Sequence, residues 1–282
     1  MKTLTFKFTI LVIVVLQLMF TYSCQDNQEE ILPEIVPKMI FCDNDGVWRV
    51  DEKGNKRLID IENFEYRPLN VGVEVQNDTI YVHNNYIVSV IDLSGNHIRD
   101  ISISPEVSYP LQFCILPDGR FAFLDNKNDK VSFTTATGEF ILDVPMENPS
   151  PENLQNVNGV VVDSCLIVAN TGYGTVLSIN LNSYQSSIHL LQALGDIDFC
   201  NGIFYHCDGR FIYRAKPDAY ESELICTFMG YNAVGLAVDE NGTYAYVTMN
   251  FANKIYKVDL ANDSYLLFMD ELNYPTDIEW VK

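Results

Sequence analysis

A chain of 282 residues with 18 Lys and Arg against 38 Asp and Glu carries a net charge of −20. A surface this acidic repels phosphate backbones, which excludes nucleic acid as a partner, and an anionic bilayer surface repels it equally. The seven cysteines include no Cys-x-x-Cys pair, and the four histidines (His83, His97, His189 and His206) make no His-Glu-x-x-His, so no zinc motif is present. A Gly-x-Ser-x-Gly elbow and a phosphate loop are absent too.

Residues 1–23 read as an export signal. Lys2 and Lys7 precede an apolar stretch, Thr9 to Tyr22, that is too short and wrongly flanked to span a membrane. The stretch ends Thr21-Tyr22-Ser23-Cys24, which resembles a bacterial lipoprotein cleavage box, although Thr21 stands where that pattern prefers Leu. The resemblance implies cleavage before Cys24, acylation of Cys24, and an outer-membrane lipoprotein exposed at the cell surface. Residues 24–38 then form an acidic flexible tether, in which Gln25-Asp26-Asn27-Gln28-Glu29-Glu30 resembles the surface-export tag of lipoproteins from Bacteroides-type bacteria. Loss of residues 1–23 removes two lysines and no acids, leaving about −22 on 259 residues, so the membrane attachment has to come from the lipid chains.

From residue 39 the chain is a succession of short strands. KMIFCDN, GVWRVDE and KRLIDI read as strands two, three and four of a unit that lacks its first strand. First strands then recur near Gly72 (VGVEVQNDTIYV), Gln112 (QFCILPDGRFAF), Gly159 (GVVVDSCLIV), Asp196 (DIDFCNGIFYHC) and Gly235, and a last one (DIEWV) begins at Asp277, at spacings of 37 to 47 residues. Each complete copy carries a hairpin turn after its first strand: Gln76-Asn77-Asp78, Pro117-Asp118-Gly119, Asp163-Ser164, Asn201-Gly202 and Glu240-Asn241-Gly242. Prolines such as Pro68, Pro105, Pro151 and Pro275 fall between copies, where no ladder donor is lost. Four short strands per unit at this period predict an all-β, six-bladed β-propeller of four-stranded blades over residues 39–282. The single last strand, Asp277–Val281, is expected to enter the N-terminal blade as its innermost strand. A count of five or seven follows only if the short copy at Asp196 is misread.

The cysteines on strands are expected to pack as small hydrophobes. The Asn201-Gly202 turn pairs Cys200 with Ile203 and leaves Cys207 opposite Asp196, which keeps the two thiols apart.

The motif grammar (Pro-x-x-Gly-hydrophobic, Asp-x-Asn-Gly, then a Val-Asp ending) resembles NHL-type and lactonase-type six-bladed propellers. Ala169-Asn170-Thr171-Gly172-Tyr173-Gly174 followed by VLSINL is similar to surface propeller lipoproteins of gut Bacteroides. The resemblance spans residues 39–282 and implies a fold far more than an activity.

Two residue sets could carry function. Glu74, Asp196, Asp198, Asp277 and Glu279 lie on first strands, which line the central channel of a propeller, and period-two geometry puts each pair on one side of its strand. Converging carboxylates need a cation or hydrogen-bond donors, and oxygen ligands favour a hard ion such as Ca²⁺. The other reading is that these acids accept hydrogen bonds from channel-facing amides. Asn158-Gly159 resembles the Asn-Gly step of lactonase-type propellers, whose channel holds a divalent ion. Ala233-Val234-Gly235 stands where that family carries an aspartate, and no first-blade glutamate matches.

The second set is the loop face: His83, Asn84, Asn85 and Tyr86; Asp125, Asn126, Lys127 and Asn128; Asn170, Thr171 and Tyr173; His206 and Asp208; and Asn250, Phe251 and Asn253. Amides beside aromatic rings suit sugars or peptides, although Asn and Asp also populate turns for structural reasons alone. The expectation is a lipid-anchored module that binds a glycan, a peptide, a small cofactor or an outer-membrane protein partner through this face. The alternative is a divalent-metal-dependent, lactonase-like hydrolase that uses the channel.

Overall fold

The computed structural model describes residues 36–61, 71–84, 86–108, 110–125, 128, 130–146, 157–170, 175–190, 195–217, 221–230 and 232–282. The export signal, Cys24 and most of the tether lie outside that range.

Among the described residues the chain forms six four-stranded antiparallel sheets. Blade 1 begins with β1 (Met39–Asp43), β2 (Gly46–Val50) and β3 (Lys56–Ile59). Blade 2 is β4 (Val71–Gln76), β5 (Thr79–Asn84), β6 (Ile87–Asp92) and β7 (His97–Ser102), and blade 3 is β8 (Pro110–Ile115), β9 (Phe121–Asp125), β10 (Lys130–Thr134) and β11 (Phe140–Pro145). Blade 4 is β12 (Val157–Val162), β13 (Cys165–Asn170), β14 (Thr175–Asn180) and β15 (Ser186–Leu190). Blade 5 is β16 (Ile197–Cys200), β17 (Ile203–Asp208), β18 (Phe211–Ala215) and β19 (Ser222–Thr227), and blade 6 is β20 (Gly235–Val238), β21 (Tyr244–Met249), β22 (Lys254–Asp259) and β23 (Ser264–Met269). The last strand, β24 (Ile278–Trp280), returns to blade 1 and pairs with β1.

The closing strand enters blade 1 as expected, in an antiparallel register. Met39 lies opposite Trp280, Ile40 opposite Glu279 and Phe41 opposite Ile278. The Val281 N–H donates to the Lys38 carbonyl at 2.9 Å, which extends the seam by one bond. The fold is a six-bladed β-propeller closed by its C-terminal strand.

Each blade is covered on both faces by its neighbours, so inner strands such as β1, β9 and β20 are buried along their whole length. The core is accordingly divided into six apolar clusters, each drawn from two adjacent blades. The seam cluster joins Met39, Phe41 and Trp280 of blade 1 to Ala237, Tyr246 and Ile255 of blade 6. Within it the Trp280 and Tyr246 rings stack at 5.4 Å between centroids and 17° between planes. Tyr81 meets Phe121 edge-on at 6.2 Å across the interface of blades 2 and 3. These strand aromatics pack between blades.

The cysteines sit as read. Cys42, Cys114, Cys165, Cys200, Cys207 and Cys226 are free thiols. Cys200 pairs with Ile203 in register, while the Cys207 N–H donates to the Asp196 carbonyl at 3.0 Å.

Two close approaches explain glycines at the head of first strands. A Cβ on Gly235 would lie 2.7 Å from Thr248 Oγ1 and 2.8 Å from the Thr276 carbonyl. One on Gly72 would collide with the Gln112 amide of the next blade.

Candidate functional site: the channel and the loop face

Innermost strands of a propeller have one edge with no strand beside it, so their N–H groups need other acceptors. Here carboxylates of the preceding blade supply them. Asp277, just ahead of β24, accepts the Val73 N–H of blade 2 at 2.8 Å and its own following Ile278 N–H at 3.0 Å. Asp196, just ahead of β16, accepts the Leu236 N–H of blade 6, its own following Ile197 N–H, and the Asn158 amide of blade 4. Asp198 repeats the device two residues on, accepting Val238 N–H at 2.8 Å and Phe199 N–H at 2.7 Å. The Asn158 Oδ1 is occupied by the Gly159 N–H at 2.8 Å. These four side chains are therefore staples between blades.

Their protonation reflects that burial. Desolvation lifts the Asp277 carboxyl to about 6, held there against the pull of the Val73 and Ile278 N–H groups and the Gln112 amide. Burial, aided by the Asp277 charge, also holds Asp196 well above the usual carboxylate range.

Glu74 and Glu279 differ. They line a cavity of about 110 Å³ at the far end of the channel, together with Cys114, Val161, Asp198 and Lys282. No hydrogen bond reaches either carboxylate among the described residues. Desolvation first, and then neighbouring acids, push both well above the usual carboxylate range. The Lys282 ammonium, 3.7 Å from Asp198 Oδ1, offsets part of this charge. The cavity is well short of the roughly 300–1,000 Å³ typical of small-molecule sites. Among the described residues no three His, Cys, Asp or Glu side chains converge closely enough to hold a metal ion. The oxygens of Asp196, Asp277 and Asn158 are already committed to donors, which leaves Glu74 and Glu279 as the channel acids still open to a cation.

On the loop face the structure separates the candidates. Tyr86, between β5 and β6, is 50 % exposed, and Phe251, in the 3-10 turn Asn250–Ala252 between β21 and β22, is 66 % exposed. They stand on blades 2 and 6, with blade 1 between them. Asn250 is buried, and its Oδ1 accepts the Phe251 N–H at 2.8 Å, which fixes the turn. Asn170 ends β13, where it pairs with Val157 and Thr175. Asn85, Asn126 and Tyr173 lie outside the described residues.

Two histidines require correction. His83 and His206 are strand residues and fully buried, not loop residues. His83 packs against the stacked Phe113 and Phe123 rings, at centroid distances of 5.6 and 5.2 Å. His206 stacks on Tyr213 at 5.1 Å and shares a 2.9 Å hydrogen bond with Ser222 Oγ. Burial pushes its imidazole down to about 4, so it is neutral at pH 7. Asp125 is also buried, accepting hydrogen bonds from Ser108 Oγ and the Asn128 N–H.

The sequence reading missed Asn273 and Tyr274, in the connection from β23 to β24. That stretch has no strand pattern, and only the three-dimensional closure brings it beside Phe251.

No protein-family model matches the chain, and no curated protein sequence matches it. Solved structures do. A chain of a nidogen/laminin complex superposes with a TM-score of 0.67 at 12% identity, covering 86% of this chain and 97% of that one. Virginiamycin B lyase from Staphylococcus aureus gives a TM-score of 0.56 at 14% identity, covering 73% of this chain and 72% of its own. A streptogramin B lyase gives 0.59 at 14% identity, covering 88% of each. At such identities the likeness is one of fold. It spans both a chain from a protein–protein complex and lyases, so it leaves the activity to be argued from the site.

Proposed function

We propose that this chain is a lipid-anchored, surface-exposed β-propeller of the bacterial outer membrane that binds a glycan, peptide, small cofactor or protein partner through its loop face. The observation that carries this reading is the polarity of blade 1. β1 starts at Met39, beside Trp280, and runs to the Asn44-Asp45 turn on the loop face. Residues 36–38 therefore enter blade 1 from the opposite face, and the exposed rings of Tyr86 and Phe251 stand on the face away from that entry. The nidogen/laminin neighbour is consistent with a binding role.

Cys24→Ser should release the protein from the membrane fraction, and protease added to intact cells should digest the unaltered protein. Joint replacement of Tyr86, Tyr173 and Phe251 by Ala should abolish binding of a loop-face ligand found on glycan and peptide arrays. Unchanged affinity in that variant would overturn the placement.

A metal-dependent, lactonase-like hydrolase is the second reading. Glu74 and Glu279, which accept no hydrogen bond among the described residues, are the observation in its favour, together with the lyase neighbours. Elemental analysis of the purified protein without a stoichiometric divalent metal would remove it.

A further inference from the structure

We infer that the seam between blades 6 and 1 carries a binding site for neutral oligosaccharides on the loop face; this rests on the binding-module reading and narrows its ligand class. Three segments meet there: the turn after β21, the connection from β23 to β24, and the turn after β1. Asn253 Oδ1 accepts the Tyr274 N–H at 3.0 Å, and the Asn253 carbonyl accepts the Leu272 N–H at 3.2 Å. Asn273 donates from its side chain to Asp45 Oδ1 at 2.8 Å and accepts the Asn44 N–H on its carbonyl at 2.7 Å.

On this base stands Phe251, 66 % exposed, its ring edge-to-face with Tyr274 at 5.4 Å and 86°. The backbone beneath is unusual. Asn253, Glu271 and Tyr274 all have left-handed φ, at 57°, 55° and 60°. Such a conformation is uncommon for a non-glycine residue, and its concentration under an exposed ring marks a held geometry. The surrounding exposed groups are Asp45, Asn253 and Asn273. Asp45 Oδ2 and Asn253 Nδ2 make no hydrogen bond to the protein among the described residues.

A free carboxylate acceptor and a free amide donor beside a rigid aromatic face match one ligand chemistry well. Each sugar hydroxyl both donates and accepts, and the weakly positive C–H face of a pyranose lies against the negative face of an aromatic ring. A protein partner fits less well, because a stable interface needs roughly 800 Å² per side with an apolar centre. Among the described residues, the other exposed apolar side chains of this face, Tyr86, Ile87 and Met229, stand apart on blades 2 and 5. The nearby Asp45, Asp270 and Glu271 favour neutral over anionic sugars.

Because the site bridges the two blades that close the ring, occupancy should raise the melting temperature. Isothermal titration and thermal melts of the purified protein with cello-, manno-, xylo- and chito-hexaose as probes test this. One of them should bind and raise the melting point, while polygalacturonate should not. Phe251→Ala should weaken binding about tenfold or more, Phe251→Trp should retain it, and Asn253→Ala should weaken it without loss of fold. Leu224→Ala, exposed on the outermost strand of blade 5, should leave it unchanged. Absence of binding by all four neutral probes, or undiminished binding by Phe251→Ala, overturns the inference. Should a ligand instead depend on Tyr86 alone, the binding-module reading stands and the seam site falls.

Discussion

The Asp277 carboxylate accepts the Val73 N–H at 2.8 Å, linking positions 204 residues apart and fastening the last strand of the chain to the second blade. Asp196 does the same between blades 5 and 6 through Leu236. Asp277, Asp196 and Asp198, for which the sequence left both a cation and hydrogen-bond donors open, are acceptors for strand edges.

Asp277→Ala should therefore destabilise the fold by about 1–3 kcal/mol, because a buried Val73 N–H loses its acceptor. Asp277→Asn keeps one acceptor oxygen and should cost less. Urea unfolding of both variants checks the order. Equal midpoints for Asp277→Ala and the unaltered protein would show that the staple contributes nothing.

The same acids set a pH dependence whose sign is opposite to that of an ordinary salt-bridged carboxylate. Asp277 rises to about 6 on folding, and Asp196, Glu74 and Glu279 also rise, so the folded state binds more protons than the unfolded one. That contribution is complete below the unfolded carboxylate range and is lost as pH climbs through the folded values. His206, lowered to about 4, works the other way, with stability present above about 6.5 and lost as pH falls toward 4. The two offset each other in mild acid. Above about pH 6.5, where His206 no longer titrates, Asp277 completes its ionisation and the melting temperature should fall. Asp277→Asn should flatten the lower part of that decline.

Closure can be weakened at Trp280. It is 7 % exposed and stacked on Tyr246 across the seam, so Trp280→Ala should cost about 3–5 kcal/mol. A double-mutant cycle with Tyr246→Ala should return a coupling of about 0.5–1.5 kcal/mol. A coupling near zero would mean that the rings act independently.

Gly235→Ala tests the close approach at the head of β20. Its Cβ would press on Thr248 Oγ1 and the Thr276 carbonyl, for a loss of about 1–3 kcal/mol. Adding Thr248→Ser retains the hydroxyl but removes a methyl group, and should recover little, since the Thr276 carbonyl remains.

The blade count and the closing strand were legible because each depends on a local pattern that repeats. DIEWV at the end and KMIFCDN at the start are complementary halves of one unit, and a period near forty residues says so without coordinates. His83 and His206 were misplaced because strand ends are poorly marked. β5 continues through Asn84, which pairs with Val71, so His83 keeps its turn in the alternation and lands on Phe113 and Phe123. The hydrogen bonds of Asp196 to Asn158 and Leu236 reach between blades about forty residues apart, beyond any local pattern. Tyr274 was invisible for a similar reason, since its partner Phe251 lies on another turn and only closure joins them.

Blade 1 is the first to be synthesised and the last to be finished. Met39, Ile40, Phe41 and Cys42 are almost wholly buried in the folded protein, yet β1 has no inner neighbour until Ile278–Trp280 has been made. Pairings this distant in sequence form slowly, because loop-closure entropy must be overcome first. Until then an apolar strand with an open edge is exposed to any other unfinished chain. Folding of this protein thus has a waiting step written into its topology, and its aggregation risk is concentrated in the first blade to leave the ribosome.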